Sequence, residues 1–400
     1  MPKNIIFCAD GTWNGPEGKT GQSVLDGGDG AGEIRGGSFT NVVKLFANLA
    51  GTRTPESAGL ENEDEKALLD ADGKVVQVMK YIHGVGDSKN LINKLLGGAF
   101  GLGIIARIVR GYTFISRHYD KGDAIVICGF SRGAYTARAL AGMIAKVGLL
   151  NRTTYDPADK GRAYRLGVAA WAKSKSIALQ GGGILDGLAG HILNFVQHVV
   201  ALPLGANSLV PNVPIKAVAV WDTVGALGIP VYAGDHRYDL FRFVDQDLHP
   251  SVECGFHAMA IDELRADFGI TRWNPRAGVR EVWFVGAHAD IGGGYPPAES
   301  RLSDNGLGWM IGKLASVGVR FSAPLTAPVD ATAIGQSIHT PWTQLPFVGL
   351  PQSARQVKAD DTLHTSVVAR CKADLQYKPQ AMLGLNGKFD LCLVDSTTSA

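Results

Sequence analysis

Short runs of apolar and β-branched residues alternate along the chain with longer amphipathic segments. The short runs, each followed within two residues by Gly, Asp or His, predict strands buried on both faces at residues 4–9, 75–81, 124–128, 215–221 and 281–285. The amphipathic segments predict helices at residues 41–49, 100–118, 134–147 and 257–268. This alternation predicts an α/β fold with a mainly parallel, doubly wound sheet, whose ligand crevice lies at the carboxyl ends of the strands.

Two stretches interrupt the alternation. Residues 15–38 are rich in Gly, Asp and Ser and lack periodicity, so we expect a mobile loop there. Residues 181–210 are apolar and flanked by glycine, and Leu188, Ile192 and Val196 recur at helical spacing. A helical insertion of this kind is equally compatible with a lid over a binding site and with another helix covering the core. We otherwise expect residues 1–400 to form a single domain.

Composition and charge then narrow the functional classes. Hydrophobic residues make up 46% of the chain and the net charge is only +2, without a long block of one sign, so nucleic acid is a poor candidate partner. The apolar run at residues 5–9 is too short for the core of a signal peptide. The five cysteines are an odd number without a C-x-x-C pair, which is typical of reduced thiols. We therefore expect synthesis in the cytoplasm and, if the protein is exported, a secretion system that needs no signal peptide.

A candidate nucleophile lies where a predicted strand meets a predicted helix. Residues 129–133 read GFSRG, and a G-x-S-x-G sequence in this setting is typical of the nucleophile elbow of α/β-hydrolases. The two glycines make room at a sharp turn, so that the strained Ser131 is exposed at the helix N-terminus. The partial positive charge there would face a developing oxyanion. The alternative is a Gly-rich turn in which Ser131 only caps the helix.

The partners of a nucleophilic serine should follow later strands. A hydroxyl needs a base to take its proton, and the base needs a carboxylate to orient it. The WDTVG sequence places Asp222 directly after a predicted strand, and the GAHAD sequence does the same for His288. The chain order Ser131, Asp222, His288 is the order of the α/β-hydrolase fold. Alternatively, Asp222 caps the turn that follows its strand.

Other histidines and one further carboxylate compete for a place in this site. His364 follows Ser131 in the right chain order and stays open as the alternative base, with Asp290 as a candidate supporting residue. His83 precedes the nucleophile, and His257 falls within a predicted helix, so neither fits the pattern well.

The oxyanion of an ester intermediate needs two backbone donors. In this fold one is the N–H of the residue after the nucleophile, here Arg132, and the other comes from the loop after an earlier strand. That loop begins Asp10-Gly11-Thr12, so we expect Gly11 or Thr12 to donate. The Asp10 carboxylate would oppose an oxyanion unless it is paired or turned away. A tight turn without catalytic purpose is the alternative.

Eight stretches of the chain resemble a known family. They are DGTWN (10–14), TNVVKL (40–45), HGVGD (83–87), GFSRGAYTAR (129–138), WDTVGALGIP (221–230), HAMAIDELRADF (257–268), WFVGAHADIGGGY (283–295) and LSDNGLGWMI (302–311). In these stretches the chain is similar to the α/β-hydrolase domain of type VI secretion phospholipase effectors. The resemblance implies that Ser131, Asp222 and His288 form a triad that cleaves phospholipid acyl esters at a membrane. It also implies a secretion-machine or immunity partner.

Two other functions stay open at this stage. In the first, Asp10, Asp222, His288 and Asp290 converge as ligands of a metal-dependent hydrolase. In the second, the fold serves as a non-catalytic binding module. We expect the serine esterase or lipase activity, which requires neither a cofactor nor a metal.

Overall fold

A computed structural model describes most of the chain. The described residues are 2–11, 38–55, 57, 63–84, 99–179, 202–224, 230–233, 236–239, 247–322, 335–345, 347–385 and 393–395. The predicted loop at 15–38, except for its last residue, lies outside the described residues. So does the predicted insertion up to residue 201, and the lid hypothesis for it stays a prediction.

One large sheet forms the centre of the fold. In chain order the strands are β1 (Asn4–Ala9), β2 (Thr52–Arg53), β3 (Glu63–Leu69), β4 (Val75–Ile82), β5 (Ala124–Phe130), β6 (Leu149–Leu150), β7 (Leu209–Val210), β8 (Ile215–Trp221), β9 (Pro230–Ala233), β10 (His236–Asp239), β11 (Val252–Ala260), β12 (Val279–Phe284), β13 (Thr362–His364) and β14 (Leu393–Asp395). Ten of them form a sheet in the order β14-β13-β12-β11-β8-β5-β1-β4-β3-β2. All neighbours from β14 to β4 are parallel, and β3 and β2 continue the edge antiparallel. The predicted α/β fold with a mainly parallel sheet is confirmed.

Helices cover both faces of this sheet. They are α1 (Asn41–Asn48), α2 (Ala99–His118), α3 (Arg132–Val147), α4 (Lys160–Leu179), α5 (His288–Gly292), α6 (Arg301–Ser316) and α7 (Thr365–Ala373). Side chains of β1 alternate between the two faces: Ile5 and Phe7 pack with residues of α2, α3 and α4, whereas Ile6 and Cys8 pack with residues of α1 and α6. Within the described ranges, no helix is both long and apolar enough to span a bilayer.

The helix predicted at residues 257–268 is wrong. Residues Val252–Ala260 form β11, which pairs with β8 on one side and β12 on the other, and only the short 3-10 turn Ala266–Phe268 follows. A strand buried on both faces lacks the alternation of apolar and polar residues that marks a half-buried strand. The spacing of its apolar residues can therefore be mistaken for that of an amphipathic helix. The polar strand β3 and the short strands β13 and β14 were also not predicted from the sequence.

The catalytic candidates share one edge of the sheet because neighbouring parallel strands end there together. Ala9 of β1 lies opposite Gly129 of β5, and Phe130 of β5 lies opposite Trp221 of β8. The residues after these strands therefore meet at the crevice that the alternation predicted.

Helix α3 approaches this edge so closely that its first turn requires glycine. A Cβ added to Gly133 would lie 2.6 Å from the carbonyl oxygen of Asp10 and closer still to that of Ala9. A Cβ added to Gly129 would lie 2.5 Å from the carbonyl carbon of Gly133. The two glycines of the elbow therefore allow β1, β5 and α3 to meet.

We expect Gly133→Ala to lower the free energy of unfolding by about 1–3 kcal/mol, because backbone must shift to admit the methyl group. Gly142→Ala is the matched control in the same helix, since nothing lies within 4 Å of its added Cβ. That control should gain roughly 0.5–1 kcal/mol from reduced chain entropy. Urea unfolding of both variants measures the difference in their free energies of unfolding. Equal values would contradict the close approach of α3 to β1.

Candidate active site

Ser131 lies at a strained turn between β5 and α3. Its backbone has φ 58° and ψ −122°. Residues other than glycine rarely adopt this conformation, which costs about 1–3 kcal/mol. The Ser131 N–H donates to the carbonyl of Trp221 at 3.1 Å, which ties the turn to the end of β8. The hydroxyl makes no capping hydrogen bond with α3. This geometry supports the nucleophile elbow and not the alternative of a helix-capping serine.

Asp222 follows β8 and is also held at positive φ, 41°. The residue is completely buried, and its Oδ2 lies 2.6 Å from His288 Nδ1. Its Oδ1 accepts the backbone N–H of Ala260 at 2.8 Å. The carboxylate therefore contacts a histidine on a later element, and these contacts differ from those expected of a turn cap.

A buried arginine that the sequence did not reveal also binds this carboxylate. Arg355 donates from Nη1 to Asp222 Oδ1 at 2.6 Å and from Nη2 to Oδ2 at 2.9 Å. Burial alone would raise the pKa of Asp222, but Arg355 and the hydrogen bond with His288 outweigh it and hold that pKa well below its ordinary value. Asp222 is therefore ionised at neutral pH.

His288 is the first residue of α5 and is fixed at its ring and its backbone. An ionised carboxylate only accepts hydrogen bonds, so the proton shared with Asp222 belongs to Nδ1 and the lone pair to Nε2. The ring packs against Phe130 and Phe268, with centroid distances of 4.6 and 5.0 Å. Burial lowers the pKa of His288 more than Asp222 raises it, so the imidazole is neutral and suited to accept a proton.

A second carboxylate holds the backbone of this histidine. Glu263 accepts the His288 N–H at 3.1 Å, and it is itself bound by Arg265 from Nε at 2.8 Å and Nη2 at 2.7 Å. The Arg265 guanidinium lies over the ring of Phe268, 3.5 Å from its centroid. Both residues lie in the stretch that was misread as a helix, so the sequence pattern hid their roles.

His364, the alternative base, occupies different surroundings. It ends β13, and its Nδ1 lies 2.8 Å from the hydroxyl of Ser366 in the first turn of α7. Its ring stacks on Phe284, and burial lowers its pKa to about 4. The structure joins His288, and not His364, to Asp222.

The predicted oxyanion loop lies beside the elbow. A Cβ added to Gly11 would lie 3.4 Å from the Cβ of Ser131, so the loop after β1 borders the candidate nucleophile. The Gly11 N–H, however, donates to Asp10 Oδ1 at 2.6 Å and would have to leave it to serve as an oxyanion donor. Arg132 follows Ser131 as the first residue of α3, as expected, and Thr12 lies outside the described residues.

Asp10 is turned into the core, where neutral groups bind its carboxylate and Arg107 donates to its backbone carbonyl at 2.6 Å. Its Oδ2 accepts the hydroxyl of Tyr81 at 2.6 Å and that of Thr40 at 2.9 Å. Lys80, which neighbours Tyr81 on β4, pairs with Glu65 at 2.9 Å and, among the ion pairs of the described residues, not with Asp10. Burial raises the pKa of Asp10 to about 6 against the effect of these hydrogen bonds. Asp10 therefore orders the loop after β1 and, through Thr40, the start of α1.

The residues considered as metal ligands are engaged by separate partners. Asp290 accepts the Ala287 N–H at 2.9 Å and lies 2.6 Å from Nδ1 of His339. Asp222 is engaged by an arginine and a histidine, and Asp10 by two hydroxyl groups. Within the part of the chain that the structure describes, no group of three or more His, Cys, Asp or Glu residues is placed to hold a metal ion.

A family model decides the relationship that the motifs indicated. The model of the type VI secretion system (T6SS) phospholipase effector Tle1-like catalytic domain matches residues 3–313. The chain belongs to the Tle1-like family. Arg355 and His339 lie beyond the matched residues, so the contacts that they make with Asp222 and Asp290 come from a later part of the chain.

Three individual proteins show more limited similarity. An uncharacterized protein of Saccharomyces cerevisiae is 31% identical over 165 residues, which are 38% of this chain and 18% of that protein. The crystal structure of an uncharacterized protein from Pseudomonas aeruginosa has a TM-score of 0.40 and 15% identity, covering 81% of this chain and 47% of the other. A Tle1 effector bound to the VgrG spike of the type 6 secretion system has a TM-score of 0.35 and 20% identity, covering 76% and 53%. This chain thus spans less than a fifth of the yeast protein and about half of each solved chain.

If His288 is the proton acceptor for Ser131, we expect His288→Ala to lower ester hydrolysis by at least about 10²- to 10⁴-fold. His364→Ala should retain activity within a few-fold and lose only the stability that its packing and its cap on α7 contribute. Initial rates on a soluble ester, with circular dichroism as a check on folding, separate the two. Loss of activity in His364→Ala alone would make the assignment of the base wrong.

Proposed function

We propose that this protein is a serine hydrolase that cleaves carboxylic esters, with phospholipid acyl esters as its substrates. The observation that carries the proposal is the 2.6 Å contact between buried Asp222 and His288 at the edge where the strained Ser131 is held. Membership of a phospholipase effector family supports the choice of lipid. The same membership supports a secretion-machine partner, while an immunity partner stays a prediction.

The proposed reaction has two halves that share His288. As Ser131 Oγ attacks the ester carbonyl carbon, His288 Nε2 takes the hydroxyl proton, and the ionised Asp222 stabilises the imidazolium. The backbone N–H of Arg132 and the loop that begins at Gly11 hold the oxyanion. When the intermediate collapses, His288 returns the proton to the leaving alcohol and an acyl-serine remains. Water, deprotonated by His288, then attacks the acyl group and releases the fatty acid and Ser131.

An apolar surface beside the site supports an aggregated lipid as substrate. Leu345, Val348 and Leu350 are 86, 51 and 45% exposed. Phe347 lies between them in the chain, and its ring centroid is 5.7 Å from that of Phe268. Phe268 in turn packs on the ring of His288, the candidate base. Residues 331–359 contain no Asp or Glu that would oppose a lipid surface. Transfer of exposed apolar side chains of this kind from water into the acyl boundary of a membrane is favourable.

Ser131→Ala should fold normally and lose nearly all release of fatty acid from phospholipid vesicles, since nucleophile and base act as one unit. A fluorophosphonate should label the wild type once, at Ser131, and should not label this variant. Intact-mass spectrometry and fatty-acid release measure the two effects. A metal-dependent hydrolase would instead lose activity to a chelator, and a binding module would show neither labelling nor turnover.

Replacing Leu345 and Val348 together by Ser should lower vesicle hydrolysis about tenfold or more, because each aliphatic side chain loses part of the roughly 1.5–3 kcal/mol that full burial contributes. Hydrolysis of a soluble short-chain ester should stay unchanged. Leu69→Ser is the matched control, since Leu69 is 53% exposed on β3 near the other edge of the sheet. Equal effects of the double variant on both substrates, or an equal effect of the control on vesicles, would contradict a lipid-facing surface.

A further inference from the structure

Arg355 contacts the carboxylate of the proposed triad from a segment beyond residues 3–313, the part that the family model matches. Its side chain is buried, with 7% of the residue exposed, and the pair with Asp222 joins positions 133 residues apart. We propose that Arg355 is a positioning residue for the hydrolytic reaction, which fixes the orientation of Asp222 and balances the charge around His288. The inference rests on the proposed function, because it assigns Arg355 a part in that chemistry.

The hydrogen bonds of Arg355 leave the carboxylate a single orientation. Asp222 Oδ1 accepts from Nη1 at 2.6 Å and from the Ala260 N–H at 2.8 Å, while Oδ2 accepts from Nη2 at 2.9 Å and faces His288 Nδ1 at 2.6 Å. The same two Arg355 nitrogens donate to the carbonyls of Ala260 at 2.7 Å and Phe268 at 2.8 Å. Rotation of the carboxylate would break several of these bonds at once. Oδ2 is thereby kept in line with the histidine.

The guanidinium also sets the electrostatic surroundings of the base. Two carboxylates contact His288, Asp222 at its ring and Glu263 at its backbone N–H. Each of them is paired with a guanidinium, Arg355 and Arg265 respectively. A third carboxylate, Asp290, lies further along α5 and is paired with His339. The two carboxylates and the two guanidiniums sum to zero, so the guanidiniums offset part of the attraction that the carboxylates exert on an imidazolium. Without Arg355 the sum is −1, which favours the charged imidazole. Arg355 thus keeps His288 neutral, and able to accept a proton, toward lower pH.

Two substitutions separate the effect of geometry from that of charge. Arg355→Gln removes the charge and the planar fork, whereas Arg355→Lys keeps the charge and loses the bidentate contact. Arg53→Gln is the matched control, because Arg53 donates to the buried Asp64 at 2.7 Å on strands β2 and β3, near the opposite edge of the sheet. The measurement is kcat and KM on a soluble short-chain ester between pH 4 and pH 9.

The expected results differ among the three variants. Arg355→Gln should lower kcat about 10- to 100-fold with little change in KM, and should move the acid limb of kcat/KM up by about one pH unit. That limb reports the coupled Asp222–His288 pair, and both groups shift in the same direction when the cation is lost. Arg355→Lys should lower kcat while its acid limb stays near that of the wild type. Arg53→Gln should leave kcat and the pH profile unchanged.

Three outcomes would overturn the inference. The first is an active wild type together with an Arg355→Gln variant whose kcat and acid limb are unchanged, and the second is an equal shift of the limb in Arg53→Gln. If Arg355→Gln does not fold, the Arg355→Lys profile and an NMR titration of His288 in the wild type decide, and a wild-type pKa above about 6.5 contradicts the charge balance. Failure of the proposed function is distinct, since the wild type itself would then show no turnover and no phosphonate label on Ser131.

Discussion

The hydrogen bond between Asp222 and His288 requires an ionised carboxylate inside the protein core, and much of the surrounding structure meets that requirement. A charge removed from water costs several kcal/mol unless a counter-charge and hydrogen bonds compensate it. Here Arg355 provides the counter-charge, and the Ala260 N–H, at the end of β11, provides a further donor. Glu263 and Arg265 form a second buried pair next to the first, so the histidine lies among balanced charges.

The sheet supplies the rigidity that these contacts need. Ser131 and Asp222 both have positive φ at the ends of neighbouring strands, and such strain persists only where the surroundings determine the backbone. Pairing of β5 with β8 and the bond from the Ser131 N–H to the Trp221 carbonyl tie the two turns together. Gly133 lets α3 begin directly beside β1, which brings Gly11 next to the serine. The relative positions of the proposed nucleophile and its proposed acid are therefore a property of the sheet edge.

Local patterns predicted the parts of this site that depend on neighbouring residues in the chain. The buried strands, the GFSRG turn and the strand-end positions of Asp222 and His288 were readable because strand, turn and order are short-range features. The roles of Arg355 and Glu263 were not, since each depends on a contact made across the fold. Arg355 in particular follows no motif, and nothing in its neighbourhood marks it as buried. The misread β11 shows the same limit, because its burial on both faces depends on pairing with distant strands.

The proposed reaction requires Ser131 to carry the acyl group between its two halves. Rapid acid quench of the wild type during turnover of a long-chain ester, followed by peptide mass mapping, tests this most directly. We expect one acyl group per chain, on the peptide that contains Ser131, formed before steady-state release of fatty acid. Turnover without an acylated peptide, or with the acyl group on another residue, would contradict it.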